Sequence, residues 1–376
     1  MKQGWKLITL GDACEKGSSN VSQNQLENEK GKYPIFGASG LIKNVSFYHN
    51  DKPYLSIVKD GSGVGRVTKM DAYTSVIGTL QYIYPKEGID LNYLYYSLIS
   101  VDFKKYVAGA AIPHIYFKDY KNEPFLWMPL TEQKRIVTVL DKAFEAIAKA
   151  KANAEQNLKN TKELFESYLH GVFEKKDDGW EEKNLGDIGD PKMCKRIFKE
   201  QTSAEGEIPF YKIGTFGKEP DAYISKKIYE EFRSKYSFPK IGDVLISASG
   251  TIGRRVKYNG EPAYFQDSNI VWIDNNEKQV LNNYLYEFYG ACNWGSTKGA
   301  TISRLYNDNL KSIKISFPKS IEKQQTIVRQ LDALRDETQK LEALYQKKID
   351  DLEELKKSIL QKAFAGELKT EKIVAV

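Results

Sequence analysis

The sequence predicts an α+β protein in which two globular domains alternate with two long helices. One observation is an internal repeat: Ile327 repeats Ile136 and Leu360 repeats Leu169 at one constant offset, and each pair marks one end of a long segment with helical spacing. The other is that short strand-like and helical stretches lie between these segments without regular β-α-β alternation. The expected order is a globular domain at 1–130, a helix at 131–178, a globular domain at 179–318 and a helix at 319–376.

The repeat also covers the start of each globular domain. A Gly-Trp pair followed by Leu-Gly-Asp occurs twice, as Gly4-Trp5 with Leu10-Gly11-Asp12 and as Gly179-Trp180 with Leu185-Gly186-Asp187. The interval from Trp180 to Ile327 is longer than that from Trp5 to Ile136, so the second globular domain is the larger one. Repeats of this size indicate two tandem units rather than a solenoid.

A glycine-rich turn between two strands is predicted in the first globular domain. Residues 54–58 predict a strand, 60–65 a tight turn and 66–68 a return strand. Residues 73–84 predict one or two further strands, and 91–107 have helical spacing. The sequence Gly109-Ala110-Ala111-Ile112 follows before the first long helix.

The second globular domain repeats this plan. Residues 243–247 predict a strand, 249–253 a turn, 254–256 a return strand, 264–273 a strand and 280–289 a helix. The sequence Gly299-Ala300-Thr301-Ile302 corresponds to 109–112 of the first domain.

The two long helices are predicted to form an antiparallel coiled coil. Their apolar positions step alternately by four and three, as in a heptad seam. In the second helix these positions are Ile327, Leu331, Leu334, Thr338, Leu341, Tyr345, Lys348, Leu352, Leu355 and Ile359, and the first helix has the corresponding positions from Ile136 to Tyr168. The first helix carries smaller side chains in mid-seam, which suits packing against the second. Antiparallel pairing would relate the globular domains by a pseudo-two-fold axis; two independent helical spacers are the alternative.

The polar stretch 153–160 could break or bend the first helix. If the helix is continuous, it should form a rod of roughly 60 Å.

Composition restricts the function classes. The chain has 376 residues and a net charge of +6, so a nucleic-acid surface would be a local patch. Cys14, Cys194 and Cys292 are isolated and have no zinc-ligand spacing, which predicts a reduced, cytoplasmic protein. We expect neither a signal peptide nor a membrane span.

No catalytic motif is recognisable. Residues 61–68 lack the Walker A spacing of a phosphate loop and are better explained as a hairpin turn. The Asn/Asp-Pro-Pro-Tyr motif of amino-methyltransferases is absent, and His49, His114 and His170 are scattered. We therefore expect no enzyme activity and no cofactor on this chain.

The duplicated order resembles the specificity subunit (HsdS) of type I restriction-modification systems. Two copies of Gly-Trp…Leu-Gly-Asp are each followed by a variable globule and then by Pro…Gln…Ile-Val at the start of a long helix. One departure is that Glu132-Gln133 in the first copy becomes Lys323-Gln324 in the second. The resemblance implies two target-recognition domains and two helices that set the spacing between two half-sites.

The resemblance further implies a non-catalytic subunit that binds double-stranded DNA, reads an asymmetric split target and docks two methyltransferase subunits and restriction subunits. S-adenosylmethionine, ATP and magnesium would then belong to those partner subunits.

The candidate DNA-binding residues are polar or basic and lie in or beside the two predicted turns. They are Lys59, Ser62, Arg66, Lys104, Lys105, Lys118, Arg233, Lys235, Ser249, Thr251, Arg254, Arg255, Lys298 and Arg304. Arg254-Arg255 is the strongest pair because two guanidiniums beside a turn suit phosphate or guanine, although one must point inward or sideways if the stretch is a strand.

The tyrosine clusters at 93–96 and 284–289 are expected to be core rather than base-stacking platforms. Two rival functions stay open: a defence-system scaffold that binds protein, and a catalytic chain with an unrecognised site. Steep loss of DNA binding with salt would oppose the first, and inactivity of the purified chain would oppose the second.

Overall fold

A computed structural model describes residues 4–109, 111–174, 178–294 and 304–368. Contacts divide the chain into unit 1, Met1–Glu155 with Gln346–Val376, and unit 2, Gln156–Tyr345. Each unit therefore combines one globular part with half of each long helix. The four-segment domain division made from the sequence stays a prediction, because this grouping follows packing and not chain order.

The described strands of unit 1 are β1 Lys6–Thr9, β2 Cys14–Ser18, β3 Tyr33–Gly37, β4 Gly40–Val45, β5 Tyr54–Val58, β6 Val67–Met70, β7 Ser75–Val76, β8 Leu80–Pro85 and β9 Pro124–Trp127. Its α-helices are α1 Leu10–Ala13, α2 Leu91–Ser100, α3 Phe117–Tyr120 and the start of the first long helix, α4 Leu130–Glu174. Short 3-10 helices lie at Gln23–Leu26 and Phe103–Tyr106.

The described strands of unit 2 are β10 Trp180–Asn184, β11 Gly189–Lys192, β12 Ile208–Tyr211, β13 Tyr223–Ile224, β14 Val244–Ser247, β15 Arg255–Lys257, β16 Tyr264–Phe265, β17 Ile270–Asn275 and β18 Lys314–Pro318. Its α-helices are α5 Leu185–Ile188, α6 Lys226–Lys235, α7 Asn282–Ala291, α8 Asn307–Lys311 and the start of the second long helix, α9 Ile321–Phe364. A 3-10 helix lies at Lys199–Gln201.

Both globular parts share one sheet plan, which confirms the α+β prediction. Each has a four-stranded antiparallel sheet, β2-β8-β5-β6 in unit 1 and β11-β17-β14-β15 in unit 2. Each also has a three-stranded mixed sheet, β4-β3-β7 or β13-β12-β16, and a two-stranded ribbon, β1-β9 or β10-β18.

The four-stranded sheets are covered on both faces, since every residue of the central strands β5 and β14 is buried. In β5, Leu55 and Ile57 pack with the helices, whereas Tyr54 packs in a second cluster under the three-stranded sheet. In β14, Ile246 faces the helices and Leu245 faces the three-stranded sheet. This alternation is the period-two geometry of a strand.

Most predicted elements are confirmed, and two differ in extent. The helix predicted over 91–107 ends at Ser100, where Val101 adopts an extended backbone before the next 3-10 helix. The strand predicted over 264–273 divides into β16 and β17 around Ser268, whose φ of 53° interrupts an extended chain. Residues 299–302 lie outside the described residues.

Within each unit, α4 and α9 pack antiparallel, as predicted. In unit 1, Phe144 lies against Lys356, and Lys151 pairs with Glu353 at 2.5 Å. The partners on α9 thus run backward as α4 runs forward. In unit 2, Phe165 stacks with Arg335 at 5.2 Å, and Phe173 packs in a cluster with Val328. Helix α4 is uninterrupted, so no break occurs at 153–160.

The predicted heptad seam is wrong in the C-terminal part of both long helices. The seam includes Leu164 and Leu355, but these are 54% and 48% exposed, and Leu169 and Leu360 are buried instead. The apolar contact has moved by one residue because an α-helix has 3.6 residues per turn. A strict 3.5-residue repeat drifts by about 20° per heptad on a straight helix.

A buried glutamine fixes the start of each long helix to its globular part. Gln133 Oε1 accepts from Asp90 N (2.8 Å), and its Nε2 donates to Gly88 O (2.8 Å) and Met128 O (2.7 Å). One side chain therefore ties the first turn of α4 to the segments before α2 and after β9.

Gln324 repeats this arrangement in unit 2. Its Oε1 accepts from Leu281 N (2.9 Å), and its Nε2 donates to Gln279 O (2.7 Å) and Pro318 O (2.8 Å).

Candidate functional site

In unit 1, the turn after β5 is joined to the loop that precedes α3. We name residues 59–66 and 111–118 the first turn–loop surface. Ile115 N donates to Lys59 O at 2.9 Å, and the Ile115 side chain is buried in the core. The loop is thus anchored to the end of the central strand by both main chain and side chain.

Glycine is required at two positions of this turn. Gly61 has φ 97° and donates its N–H to Pro113 O at 2.8 Å. Gly65 has φ 85°, and a Cβ there would lie 2.6 Å from Phe103 Cβ. Any other residue would be strained at Gly65 and would also clash with the neighbouring 3-10 helix.

Unit 2 builds an equivalent surface from different side chains. We name residues 247–254 and 304–306 the second turn–loop surface. Leu305 N donates to Ala248 O at 2.7 Å, and Leu305 is buried as Ile115 is in unit 1.

An isolated antiparallel bridge recurs at the same place in both surfaces. It joins Asp60 to His114 in unit 1 and Ser249 to Arg304 in unit 2. Residues 114 and 304 are therefore structurally equivalent, and each lies against the beginning of its turn.

Six predicted DNA-binding residues lie on or beside the first turn–loop surface: Lys59, Ser62, Arg66, Lys104, Lys105 and Lys118. Arg66 is exposed and donates through Nη1 to Ala38 O at 3.1 Å, a bond that leaves its other guanidinium donors unused. Lys118 Nζ lies 5.3 Å from the centre of the Tyr116 ring.

Four predicted residues lie on the second turn–loop surface: Ser249, Thr251, Arg254 and Arg304. Ser249 Oγ donates to Asn269 Oδ1 at 2.8 Å, and Arg304 Nη2 donates to Ser268 O at 3.2 Å. The Thr251 carbonyl accepts from Ser247 Oγ at 2.6 Å, which holds the turn closed.

Three other predicted residues lie outside these surfaces: Arg255 begins β15, and Arg233 and Lys235 lie on α6. Arg233 contacts Tyr229, and Lys235 pairs with Glu231 at 2.9 Å. Lys298, the remaining predicted residue, lies outside the described residues.

The Arg254-Arg255 pair is split between the two faces of its sheet. Arg254 Nη1 donates to Phe216 O at 2.9 Å on the side of the three-stranded sheet. The Arg255 guanidinium stacks on Tyr286 of α7 at 4.5 Å. The two guanidiniums therefore cannot bind one phosphate or guanine together. This separation follows from the alternation of side chains along a strand.

Sequence reasoning missed three side chains of these surfaces. It treats His114 as an isolated histidine and gives no role to Tyr116 or Tyr306. Tyr116 is 50% exposed and Tyr306 is 64% exposed. The available signal is the repeat itself, because His114-Ile115-Tyr116 and Arg304-Leu305-Tyr306 occupy corresponding positions of it.

The cysteines do not form a nucleophilic or metal site in the described part of the chain. Burial raises the pKa of Cys14, Cys194 and Cys292 to about 12 each, so their thiols stay protonated at neutral pH. In the same residues there is no group of three or more His, Cys, Asp or Glu side chains that could hold a metal ion. None of the described helices is both long and apolar enough to cross a membrane.

Family and fold comparisons agree with this duplicated arrangement. The family model for the type I restriction modification DNA specificity domain matches residues 2–159 and again 177–353. A Haemophilus influenzae protein named as a putative type I restriction enzyme specificity subunit is 41% identical over 316 residues, which are 80% of each chain. The MjaVIII specificity subunit of Methanocaldococcus jannaschii is 25% identical over 418 residues, covering 99% of this chain and 94% of that one.

Two solved structures share the fold. A chain from a study of complex assembly and conformational transition in the type I R-M system aligns with a TM-score of 0.76 at 18% identity, covering 98% of this chain and 99% of that one. The HsdS subunit of Thermoanaerobacter tengcongensis aligns with a TM-score of 0.62 at 18% identity, covering 98% of each chain. The family model matches both halves of the chain, and each half carries its own turn–loop surface. Together with the Haemophilus influenzae relative, these matches show that this protein belongs to the type I restriction-modification specificity family and is a non-catalytic specificity subunit.

Proposed function

We propose that this chain reads a bipartite, asymmetric target in double-stranded DNA, one half with each unit, across a spacer of fixed length. The observation that carries the proposal is that each unit presents one turn–loop surface of the same construction but different side chains. Two different surfaces on one chain favour two different half-sites, and a rigid connection between readers makes their spacing part of the specificity.

The chemistry of the surfaces supports DNA as the ligand. Each combines guanidinium, ammonium or hydroxyl groups with an exposed tyrosine on a main chain that is held by hydrogen bonds. Cationic groups supply phosphate contacts, and a guanidinium can also contact a guanine edge. The second surface places Arg254 and Arg304 beside one turn, and the first places Arg66 and Lys118 beside the other.

The same proposal assigns two methyltransferase subunits and the restriction subunits as partners. Leu164 of α4 and Leu355 of α9 are exposed leucines that occupy matched positions of the repeat, one in unit 2 and one in unit 1. Two equivalent apolar positions suit two copies of one partner. S-adenosylmethionine, ATP and magnesium are assigned to the partner subunits and not to this chain, and the complex would act in the cytoplasm, where the DNA lies.

The test is to express the chain with its methyltransferase subunits and determine the methylated motif by sequencing genomic DNA. We expect a gapped motif with two unlike halves that disappears when this gene is deleted. The purified complex should lose affinity when one base pair is added to the spacer. Its binding should also weaken steeply as salt rises, because several phosphate contacts release counterions.

A continuous motif, or tolerance of spacers of any length, would contradict the proposal. DNA binding that does not change with salt would favour a protein-binding scaffold instead.

A further inference from the structure

We infer that His114 and Arg304 are equivalent specificity-determining residues that contact bases of opposite hydrogen-bonding character in the two half-sites. This inference rests on the proposed function. It assigns an amino-bearing base, cytosine or adenine, to His114 in one half-site and a guanine to Arg304 in the other.

The equivalence of the two positions is structural. His114 bridges to Asp60 and Arg304 bridges to Ser249, in both cases at the start of the glycine-containing turn. The next residue in each case, Ile115 or Leu305, is buried. Because side chains alternate along an extended chain, the residues on either side of this buried anchor point away from the core.

The main chain at His114 is fully engaged, so its side chain is presented from a fixed backbone. His114 N donates to Ala108 O (2.8 Å), and Ala108 N donates to His114 O (2.9 Å). A preorganised position of this kind loses little entropy when the side chain binds a ligand.

The local contacts of His114 determine which ring nitrogen is left for DNA. Nδ1 lies 3.3 Å from Ile112 O, and a carbonyl oxygen can only accept, so this nitrogen carries the proton. In the neutral ring, Nε2 is then an acceptor. In the major groove, an acceptor matches the exocyclic amino groups of cytosine and adenine.

Arg304 presents the opposite character. Its Nη2 donates to Ser268 O at 3.2 Å, which positions the guanidinium and leaves further N–H donors unused by that bond. A guanidinium donates in pairs to O6 and N7 of guanine, which is the most frequent base-specific contact of arginine.

A tyrosine two residues further on supports each side chain. The Tyr116 ring centre lies 4.8 Å from that of His114, with the planes at 65°. The Arg304 guanidinium lies 6.0 Å from the centre of the Tyr306 ring. These contacts limit the rotation of the reading groups and therefore favour a defined base contact over a loose phosphate contact.

The experiment uses the full chain with its methyltransferase subunits and compares methylated motifs for the wild type, Arg304→Ala and His114→Arg. Lys226→Ala serves as a control that removes one exposed positive charge from unit 2 on α6, outside the turn–loop surface. Circular dichroism verifies that each variant is folded.

For Arg304→Ala we expect guanine preference to fall on the order of 10- to 100-fold at one position of one half-site, with the other half-site unchanged. For His114→Arg we expect a new guanine preference at one position of the opposite half-site. The wild-type base at that position distinguishes cytosine from adenine.

Variants that change overall methylation without changing base preference would overturn the inference, because a phosphate contact behaves in that way. Unchanged motifs for both variants would overturn it as well. A wild type without a gapped motif would overturn the proposed function too, so the two failures are distinguishable.

Discussion

At the scale of single residues, Gln133 and Gln324 couple each long helix to its globular part. Both are completely buried, and each makes three hydrogen bonds to main-chain groups of its own unit. An apolar side chain could not accept the one hydrogen bond and donate the two that each buried amide makes. Glutamine is therefore needed at this position of the helix start, whereas the residue before it differs between the copies, as Glu132 and Lys323.

We predict that Gln133→Leu destabilises unit 1 by about 2–4 kcal/mol, because Asp90 N and two carbonyls lose a buried partner. Hydrogen exchange under mild denaturant should show faster exchange in residues 4–155 and little change in 156–294. Gln156→Leu, at an exposed position of α4, is the matched control. Equal effects of the two substitutions would contradict this role of Gln133.

At the scale of elements, α2 packs on α4 in unit 1 and α7 packs on α9 in unit 2, and the side chains at the corresponding contact positions differ. In unit 1, the Tyr96 hydroxyl of α2 donates to Asp141 of α4, and its ring packs edge-on against Phe144. In unit 2, the repeat places Glu287 at the position of Tyr96 and Arg335 at that of Phe144. These two form an ion pair in which the Glu287 side chain is buried and the Arg335 side chain is partly buried.

Burial raises the pKa of Glu287, against the opposing effect of the Arg335 and Arg255 charges. Arg335 also donates to Asp332 at 2.6 Å. The contact between α7 and α9 in unit 2 therefore depends on the positive charge of Arg335, which stabilises the buried carboxylate of Glu287.

We predict that Arg335→Ala destabilises unit 2 by about 3–5 kcal/mol, since it leaves Glu287 buried without its partner. The double substitution Glu287→Tyr with Arg335→Phe, which transfers the pair from unit 1, should recover most of that loss. Urea denaturation followed by hydrogen exchange gives the measurement, with exposed Arg329→Ala as the control. If the double variant is no more stable than Arg335→Ala, the Tyr96–Phe144 pair of unit 1 cannot replace the Glu287–Arg335 pair of unit 2.

At the scale of the whole molecule, the C-terminal part of α9 contributes to the hydrophobic core of the N-terminal globular part. Leu360 and Ala363 of α9 are buried in one cluster with Ile136 and Leu140 of α4 and with the globular residues of unit 1. Phe364 packs against Tyr93, with ring centres 5.3 Å apart. Unit 1 is therefore complete only when the C-terminal part of α9 is in place.

We predict that Ala363→Asp unfolds unit 1 locally while leaving unit 2 protected, because a charge is placed without a partner where the side chain is fully buried. The expected cost is above about 3 kcal/mol. Hydrogen exchange should accelerate within 4–155 but not within 156–294. Gln361→Asp, two positions away and exposed, is the control. Faster exchange only near residue 363 would contradict the interdependence of the two chain ends.

Sequence periodicity was sufficient for the duplicated plan, both long helices and the glycine-containing turns. Strand alternation, helical spacing and turn glycines are each recognisable in a short window of sequence, and the constant repeat offset links the two copies. The repeat offset also carried the correspondence between residues 114 and 304, although only Arg304 was predicted from the sequence to bind DNA. Tyr116 and Tyr306, which lie outside the tyrosine clusters predicted to be core, are on the surface.

The amino-acid sequence by itself was sufficient to predict the alternation of globular and helical segments and the family, and it favoured antiparallel helices over two independent spacers. Tertiary structure decided which face of each long helix is buried, which arginine of 254–255 reaches the turn–loop surface, and that residues 346–368 belong with unit 1. The physical reason is that a small phase drift along a helix, or a contact between segments far apart in the chain, is set by packing and leaves no local pattern in the sequence.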